Sequence, residues 1–575
     1  MRFWNTTNEF VFRTPTETLA IERISGRISS PADEKLMQSL MGSGSSIVGI
    51  LGIVDLPRSK LLVLATKCEH SGNLLDNEVY KITSTDVLPL SDLNKNDAHY
   101  MSLVKAHFKK ANLYFSPTTD LTNSQQRLAQ QKPCDSRFLW NHEISRDFQA
   151  FPQFFTPVVF GIFSEKSADI NNHTVQLSLL SRRSRFRAGT RYFRRGLDVD
   201  GHAANYNETE QIVWVDRSDV YSYVQTRGSV PAFWGEVNTL KYRPKLQIGD
   251  ISTSVVAAEK HFAEQKKLYG PQILVNLVNQ SGYEKRVKDT YEAVVSELKD
   301  KDIEYVYFDF HKECSKMRWH RVKLLMNQLE ELGLYEHGWF HKRGETVLEE
   351  QEGVIRTNCM DCLDRTNVVQ STIALNMAER QLQDAGVFPQ KLDITFYQDF
   401  TKLFRNMWAD NADGVSCAYS GTGALKTDFT RTGKRTKWGA FDDFCNSLLR
   451  YYRNNLTDGP RQDGFSVALG DYTMPSRVHP FVDRRPLVIQ SMPYIMFGCG
   501  LVTFMSVLFP SQNHGFLFNM VMTCIFALMF LYALWYIFAN GIQYVNWPKL
   551  TPVEFVTGRN GCYSIKNDYV VSKDD

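Results

Sequence analysis

Two uncharged apolar runs dominate the C-terminal part of the chain. Residues 493–510 (PYIMFGCGLVTFMSVLFP) carry no charge, and neither do residues 516–542. Each is long enough to cross a hydrocarbon core of about 30 Å. The pattern predicts transmembrane helices at 493–510 and 516–542, joined as a hairpin by the connector 511–515. A pair of buried core helices is the alternative, disfavoured because two such runs stand side by side after a polar region.

Upstream, the apolar positions come in short β-type runs. Residues 47–54 and 61–65 predict a hairpin, and the stretch to about residue 97 reads as β-rich. Val175, Leu177 and Leu179 alternate with polar residues, as on a half-buried strand. Residues 273–278, 303–308 and 353–358 suit buried strands. Helices are predicted at 319–332, at 366–385 with Gly386 as its stop, and at 441–454. Seven glycines and prolines between Asp458 and Pro486 read as a linker to the membrane. The expected organisation is therefore a β-rich subdomain at 1–97, with an extension to about 165 left open, and a mixed α/β domain at 98–456. A linker follows at 457–492, then the two spans and a tail at 543–575.

Charge orients the hairpin. Arg477, Arg484 and Arg485 precede the first run, Lys549, Arg559 and Lys566 follow the second, and the connector has neither Lys nor Arg. The positive-inside rule then puts both ends in the cytosol, which leaves the sequon Asn207-Glu208-Thr209 unused. A net charge of +3 over 575 residues argues against nucleic-acid binding. The ten cysteines show no regular spacing, as expected of reduced cytosolic thiols.

The segment RTNCMDCLDRTN, residues 356–367, carries the candidate chemistry. Cys359 is followed by five residues and then Arg365, between a predicted strand and a predicted helix. Backbone N–H groups and the helix dipole at such a turn hold a phosphate and lower a thiol pKa. Cys359 is the expected nucleophile, and Arg365 the fork that follows the phosphoryl oxygens. Asp361 and Asp364 are the candidate general acids, Asp364 preferred. Asn358, Met360, Cys362 and Leu363 complete the expected phosphate loop. No metal or cofactor is needed. Cys-x5-Arg alone matches by chance, and Cys359-Met360-Asp361-Cys362 is also a CxxC with possible redox behaviour.

Further segments sharpen the reading: YFSPTTDLT (114–122), the arginine-rich 181–205, ETEQI (208–212), VQTRGSVPAFW (224–234), FDFHKEC (308–314), WADNAD (408–413) and GTGALKTDFTRTGKRT (421–436). With the cysteine motif they resemble the Sac family of phosphoinositide phosphatases, over about residues 1–460. The resemblance implies a β-rich subdomain packed on an α/β cysteine-phosphatase domain. It implies a phosphoinositide in the membrane as partner, with phosphatidylinositol 4-phosphate as main substrate and weaker action on the 3-phosphate and 3,5-bisphosphate. It also implies residence in endoplasmic reticulum and Golgi membranes.

Seven arginines fall between Arg182 and Arg195, and Arg183, Arg185 and Arg187 alternate. On a strand they share one face, expected to lie near an anionic bilayer or to hold the headgroup; a solvated charged face is the plainer alternative. Lys426 heads a second basic cluster. Lys312, after the strand end at Asp309, is a further candidate for substrate contact. Two other readings stand beside the hydrolase: a non-catalytic phosphoinositide-binding scaffold, and a protein-tyrosine phosphatase with the same loop.

Overall fold

The protein is described from a computed structural model covering residues 1–30, 40, 44–315, 318–389, 393–472, 480–510, 515–559 and 562–565. The expected connector at 511–514, Arg477, Lys566 and the end of the tail lie outside these residues.

A thirteen-stranded mixed sheet forms the core of the described residues. From one edge eleven of its strands run Ile303–Tyr307, Gln272–Asn276, Val354–Asn358, Asp219–Arg227, Asn207–Val215, His173–Arg183, Val159–Ile170, Leu113–Phe115, Asn77–Pro89, Lys60–Leu74 and Gly49–Asp55; off this path the antiparallel hairpin Phe340–Arg343 and Thr346–Glu349 joins through Asp219–Arg227. The first four pair in parallel and the rest antiparallel. Gln272–Asn276 and Val354–Asn358 are buried at every residue, as parallel strands covered on both faces require. That is why residues 273–278 read in the sequence as a short apolar run without alternation. A separate five-stranded antiparallel sheet from residues 2–46 packs at the N-terminal end. The main sheet runs unbroken across residue 97, so the β-rich subdomain and the phosphatase domain share one hydrogen-bonded ladder.

The helices that matter for the site are α1 (Lys95–Lys110), α2 (Ile251–Tyr269), α3 (Lys285–Leu298), α4 (Val322–Glu331), α5 (Asp364–Asp384), α6 (Gln398–Ser420), α7 (Lys437–Leu456) and α8 (Asp458–Ala468). Two apolar helices follow, α9 (Leu487–Leu508) and α10 (Phe516–Ala539), long and apolar enough to cross a membrane and scarcely buried in the protein. α9 starts six residues before its expected start and contains Pro493 within it. Proline is tolerated inside such helices. α10 stops at Asn540, whose Nδ2 donates back to the Tyr536 carbonyl at 3.0 Å.

The linker reading is corrected over 458–468, which form the buried helix α8. Its glycines serve close approach. A Cβ on Gly459 would lie 2.0 Å from the Asn546 carbonyl oxygen, and one on Gly464 3.2 Å from that of Leu103. The segment after α10 is also docked. Asp463 accepts from the backbone of Lys549 and Leu550 at 2.8 and 2.9 Å, and Glu554 pairs with Arg187 at 3.0 Å. Phe193, Val237 and Leu240 of the globular part pack with Ile537, Val545 and Trp547.

The arginine cluster is corrected as well. His173–Arg183 is covered on both faces toward its C-terminal end, so alternation there does not expose a side chain. Arg182 is fully buried, and its guanidinium donates to Glu208 at 2.9 Å, to Glu210 at 2.6 Å and to the carbonyls of Leu121 and Asn123. Asn207 of the sequon lies buried in the neighbouring strand, out of reach of a glycan.

Candidate active site

The expected strand–turn–helix is present around Cys359. Val354–Asn358 ends between its two parallel neighbours, the chain turns through residues 359–363, and Asp364 opens α5. Cys362 takes a left-handed conformation (φ +53°) that folds the turn back on itself. Its backbone N–H then donates to the Cys359 sulfur at 3.2 Å, and the Thr366 hydroxyl donates to the same sulfur at 3.5 Å. Burial pushes the Cys359 thiol up. The hydrogen bond from Cys362, the charge of Arg365 and the Thr366 hydroxyl outweigh it and bring the thiol down to about 6. Such a group is an anion at neutral pH, able to attack an electrophilic phosphorus.

Arg365 is near the sulfur, but its guanidinium is engaged elsewhere. It pairs bidentately with Glu284 at 2.8 and 2.9 Å and also donates to the Leu277 carbonyl and Asn279. A phosphate at the loop must share or release this fork.

The two carboxylates of the loop have opposite surroundings. Asp361 is gripped by Arg191 at 2.6 and 2.9 Å and by Arg195 at 2.7 Å. Burial opposes its charge, yet these two guanidiniums hold it well below the usual carboxylate range. An aspartate so held stays ionised at neutral pH, the opposite of what a general acid needs. Asp364 accepts from the Leu425 backbone at 2.8 Å and has Arg450 at 3.8 Å. Burial dominates there and raises its pKa, the direction an acid needs.

Other expected loop residues turn inward. Asn358 bonds to Asn276 within the sheet and Leu363 packs on Val415 and Tyr419, whereas Met360, its carbonyl held by Arg195, lines the pocket beside the loop. The Cys362 thiol donates to the Gly228 carbonyl at 2.7 Å. Arg183 is buried against the carbonyls of Ala418 and Gly189, and Arg185 donates to the Ser136 carbonyl and Glu143. Neither faces the loop as a headgroup ligand. Lys426 lines a small cleft with Asp364 and Arg365. Lys312 is exposed on a short helix and lines neither that cleft nor the pocket beside Asp361 and Asp364.

This pocket, of about 340 Å³, opens beside the loop. Arg191, Tyr192, Lys241, Arg243, Asp361, Asp364 and Arg450 are among its walls. Arg191 and Arg195 were visible in the sequence only as members of a basic cluster. Glu284 and Arg450 gave no sequence signal, being brought in from distant segments. Among the described residues, Asp198, Asp200 and His202 group closely enough to share a cation, but none lines this pocket.

Comparison with known proteins shows the family. The SacI homology domain matches residues 48–315. Phosphatidylinositol-3-phosphatase SAC1 of Saccharomyces cerevisiae is 44% identical, over 90% of this chain and 87% of that protein. SAC1-A of Danio rerio, also a phosphatidylinositol-3-phosphatase, is 40% identical over 80% and 81%. Phosphoinositide phosphatase SAC7 of Arabidopsis thaliana is 36% identical over 82% and 83%. With this identity over nearly its whole length, the chain belongs to the Sac family of phosphoinositide phosphatases.

Proposed function

We propose that the chain hydrolyses phosphatidylinositol 4-phosphate, and more weakly the 3-phosphate and the 3,5-bisphosphate, through a phospho-cysteine on Cys359. The observation that carries this reading is the buried sulfur at the start of α5, brought to about 6 by its neighbours. The Cys359 thiolate attacks phosphorus in line. The bond to the inositol oxygen breaks, and that oxygen takes the proton of Asp364. Water then attacks the phospho-cysteine as the Asp364 carboxylate takes its proton. The P–S bond breaks, phosphate leaves and the thiolate returns. Arg365, drawn from Glu284, stabilises the equatorial oxygens.

In this reading α9 and α10 cross the membrane, with both ends in the cytosol. Arg484 and Arg485 precede α9, and Lys549 follows α10. The endoplasmic reticulum and Golgi are the membranes proposed, on the sequence resemblance. The test is phosphate release from vesicles of each phosphoinositide and from a phosphotyrosine peptide, without added metal. Fastest release from the 4-phosphate supports the reading. Lipid binding without release favours the scaffold, and preference for the peptide favours a protein phosphatase.

The two titrating groups set a pH dependence. The rate requires Cys359 deprotonated, so kcat/KM is expected to fall about tenfold per pH unit below about 6. It also requires Asp364 protonated, so the rate declines again as pH passes the raised pKa of that carboxyl. Asp364→Asn should cost about 10²–10⁴-fold and erase the alkaline limb while keeping the acid one. An unchanged alkaline limb would assign the acid elsewhere.

Glu284→Gln is expected to free Arg365 and make inorganic phosphate a several-fold tighter competitive inhibitor, since a charge-assisted fork is exchanged for a weaker one. An unaltered inhibition constant would mean that Arg365 does not reach the loop.

A further inference from the structure

Helix α7 has two unlike faces. One is polar and bonded into the protein. Asp443 accepts from the Lys426 backbone at 2.9 Å, and Arg450 donates to Thr422 at 2.7 Å and to the Gly423 carbonyl at 2.7 Å. The Asn454 carbonyl accepts from Asn238 at 2.9 Å. The other face is apolar and bare: Trp438, Phe441, Phe444, Leu448, Tyr452 and Leu456. Trp438 is 81% exposed, and the other five lie between 43% and 58%. Their spacing of three and four residues puts all six within a sector of about 120° on a 3.6-residue helix. Soluble surfaces scatter large exposed apolar residues singly, whereas a continuous stripe marks a contact surface.

Three observations say what covers it. First, the C-terminal end of α7 is tied to the exit of the hairpin. The Asn546 backbone donates to the Asn455 carbonyl at 2.7 Å, and its side chain donates to the Leu456 carbonyl at 3.0 Å. Second, the loop at 239–245 is fixed to α7 by the Tyr451 hydroxyl, which donates to the Leu240 carbonyl at 2.5 Å. That loop shares a cleft with Trp535 and Phe538 of α10. Lys241, Arg243 and Lys245 are exposed there around Tyr242, an aromatic and basic girdle at the level of the headgroups. Third, Lys434 and Lys437 are exposed at the N-terminal end of the stripe.

We propose that α7 is an interfacial membrane helix. Its Trp438–Leu456 stripe enters the cytosolic leaflet beside the hairpin, and Lys241, Arg243, Lys245, Lys434 and Lys437 lie on anionic headgroups. The inference rests on the reading of α9 and α10 as spanning that membrane. An amphipathic helix with cations at its edge lies in the headgroup–acyl boundary, roughly 5–10 Å deep. The consequence for the reaction is direct. Ser447, Arg450, Tyr451 and Asn454, on the inner side of α7, line the pocket next to Asp361 and Asp364. A helix seated in the leaflet therefore holds the mouth of that pocket against the lipid headgroups.

The test uses the full chain in vesicles of phosphatidylcholine, phosphatidylserine and phosphatidylinositol 4-phosphate. A benzophenone side chain replaces Phe444 in one protein and, as control, Phe396 in another. Phe396 is still more exposed and follows Ile394, whose backbone donates to Glu379, about 20 Å along α5 from the loop. Lipid adducts several-fold more abundant at 444 than at 396 are expected. Equal yields, or adducts to protein in native membranes, would overturn the proposal.

The double variant Phe441→Ser, Leu448→Ser should lower hydrolysis of the vesicle substrate about tenfold. A water-soluble short-chain substrate should be hydrolysed within about twofold of the parent rate, because the stripe touches only the bilayer. Equal losses on both substrates would assign the stripe to folding instead. Lipid adducts at 444 from a chain that hydrolyses neither substrate would sustain the docking while refuting the catalytic reading.

Discussion

Cys359→Ser is expected to reduce phosphate release from phosphatidylinositol 4-phosphate by at least about four orders of magnitude, the scale on which enzymes respond to loss of a nucleophile. The substitution changes one buried atom. The Cys362 N–H, the Thr366 hydroxyl and the charge of Arg365 bring a thiol to about 6. The same field cannot ionise an alcohol at neutral pH, so serine stays a poor nucleophile in an intact site. Cys359 packs among Tyr223, Ile355 and Val369, contacts that a slightly smaller side chain leaves in place. The melting temperature and binding to substrate vesicles should therefore match the parent. Residual activity within tenfold of the parent would exclude Cys359 as nucleophile. Lost activity together with lost stability would leave the comparison uninformative about chemistry, which is why both are measured on one preparation.

The largest expected loss of stability is at Arg182. In Arg182→Met the apolar stem is kept and the guanidinium removed. Glu208 and Glu210 are then left in the interior without the cation that faces both at 2.6–2.9 Å. Breaking a buried ion pair from one side costs about 3–5 kcal/mol, because the remaining charge stays desolvated. Some compensation remains: the Tyr269 hydroxyl still donates to Glu208, and Ser222 still donates to Glu210. A fall of roughly 3–5 °C in the melting temperature of the detergent-solubilised chain is expected. The Arg182→Met, Glu210→Leu pair should recover part of it, as coupled neighbours do. A shift within error for the single variant would show that the pair contributes little.

What the sequence made legible follows from which signals are local. The strand Val354–Asn358, the turn at Cys359 and the helix behind it could be read because a fully buried strand, a tight turn and a helix start each leave a mark within a few residues. The apolar helices could be read from length alone. Arg182 and Arg183 misled because charge pattern does not distinguish a solvated cation from a buried one whose acceptors, carboxylates for Arg182 and backbone carbonyls for Arg183, come from other segments. Gly459 and Gly464 misled because a glycine that permits close approach looks the same in sequence as one that loosens a linker. Asp361 and Asp364, three residues apart, could not be told apart as acids. Arg191, Arg195 and Arg450, which separate them, come from other elements.

The pairing of Arg365 with Glu284 has a consequence for an enzyme working on a lipid surface. Nearly every phospholipid there carries a phosphodiester with one negative charge, in vast excess over any phosphoinositide. An arginine left open at the loop would spend most of its time occupied by these bystanders. With Glu284 bound in two-point contact, a diester arriving with one charge can at best match the resident carboxylate. A phosphomonoester, whose second ionisation lies near pH 6, brings almost two charges at neutral pH and can prevail. In the proposed mechanism the ion pair would then act as a charge-counting filter, telling the phosphate to be removed from the phosphate that belongs to the membrane itself.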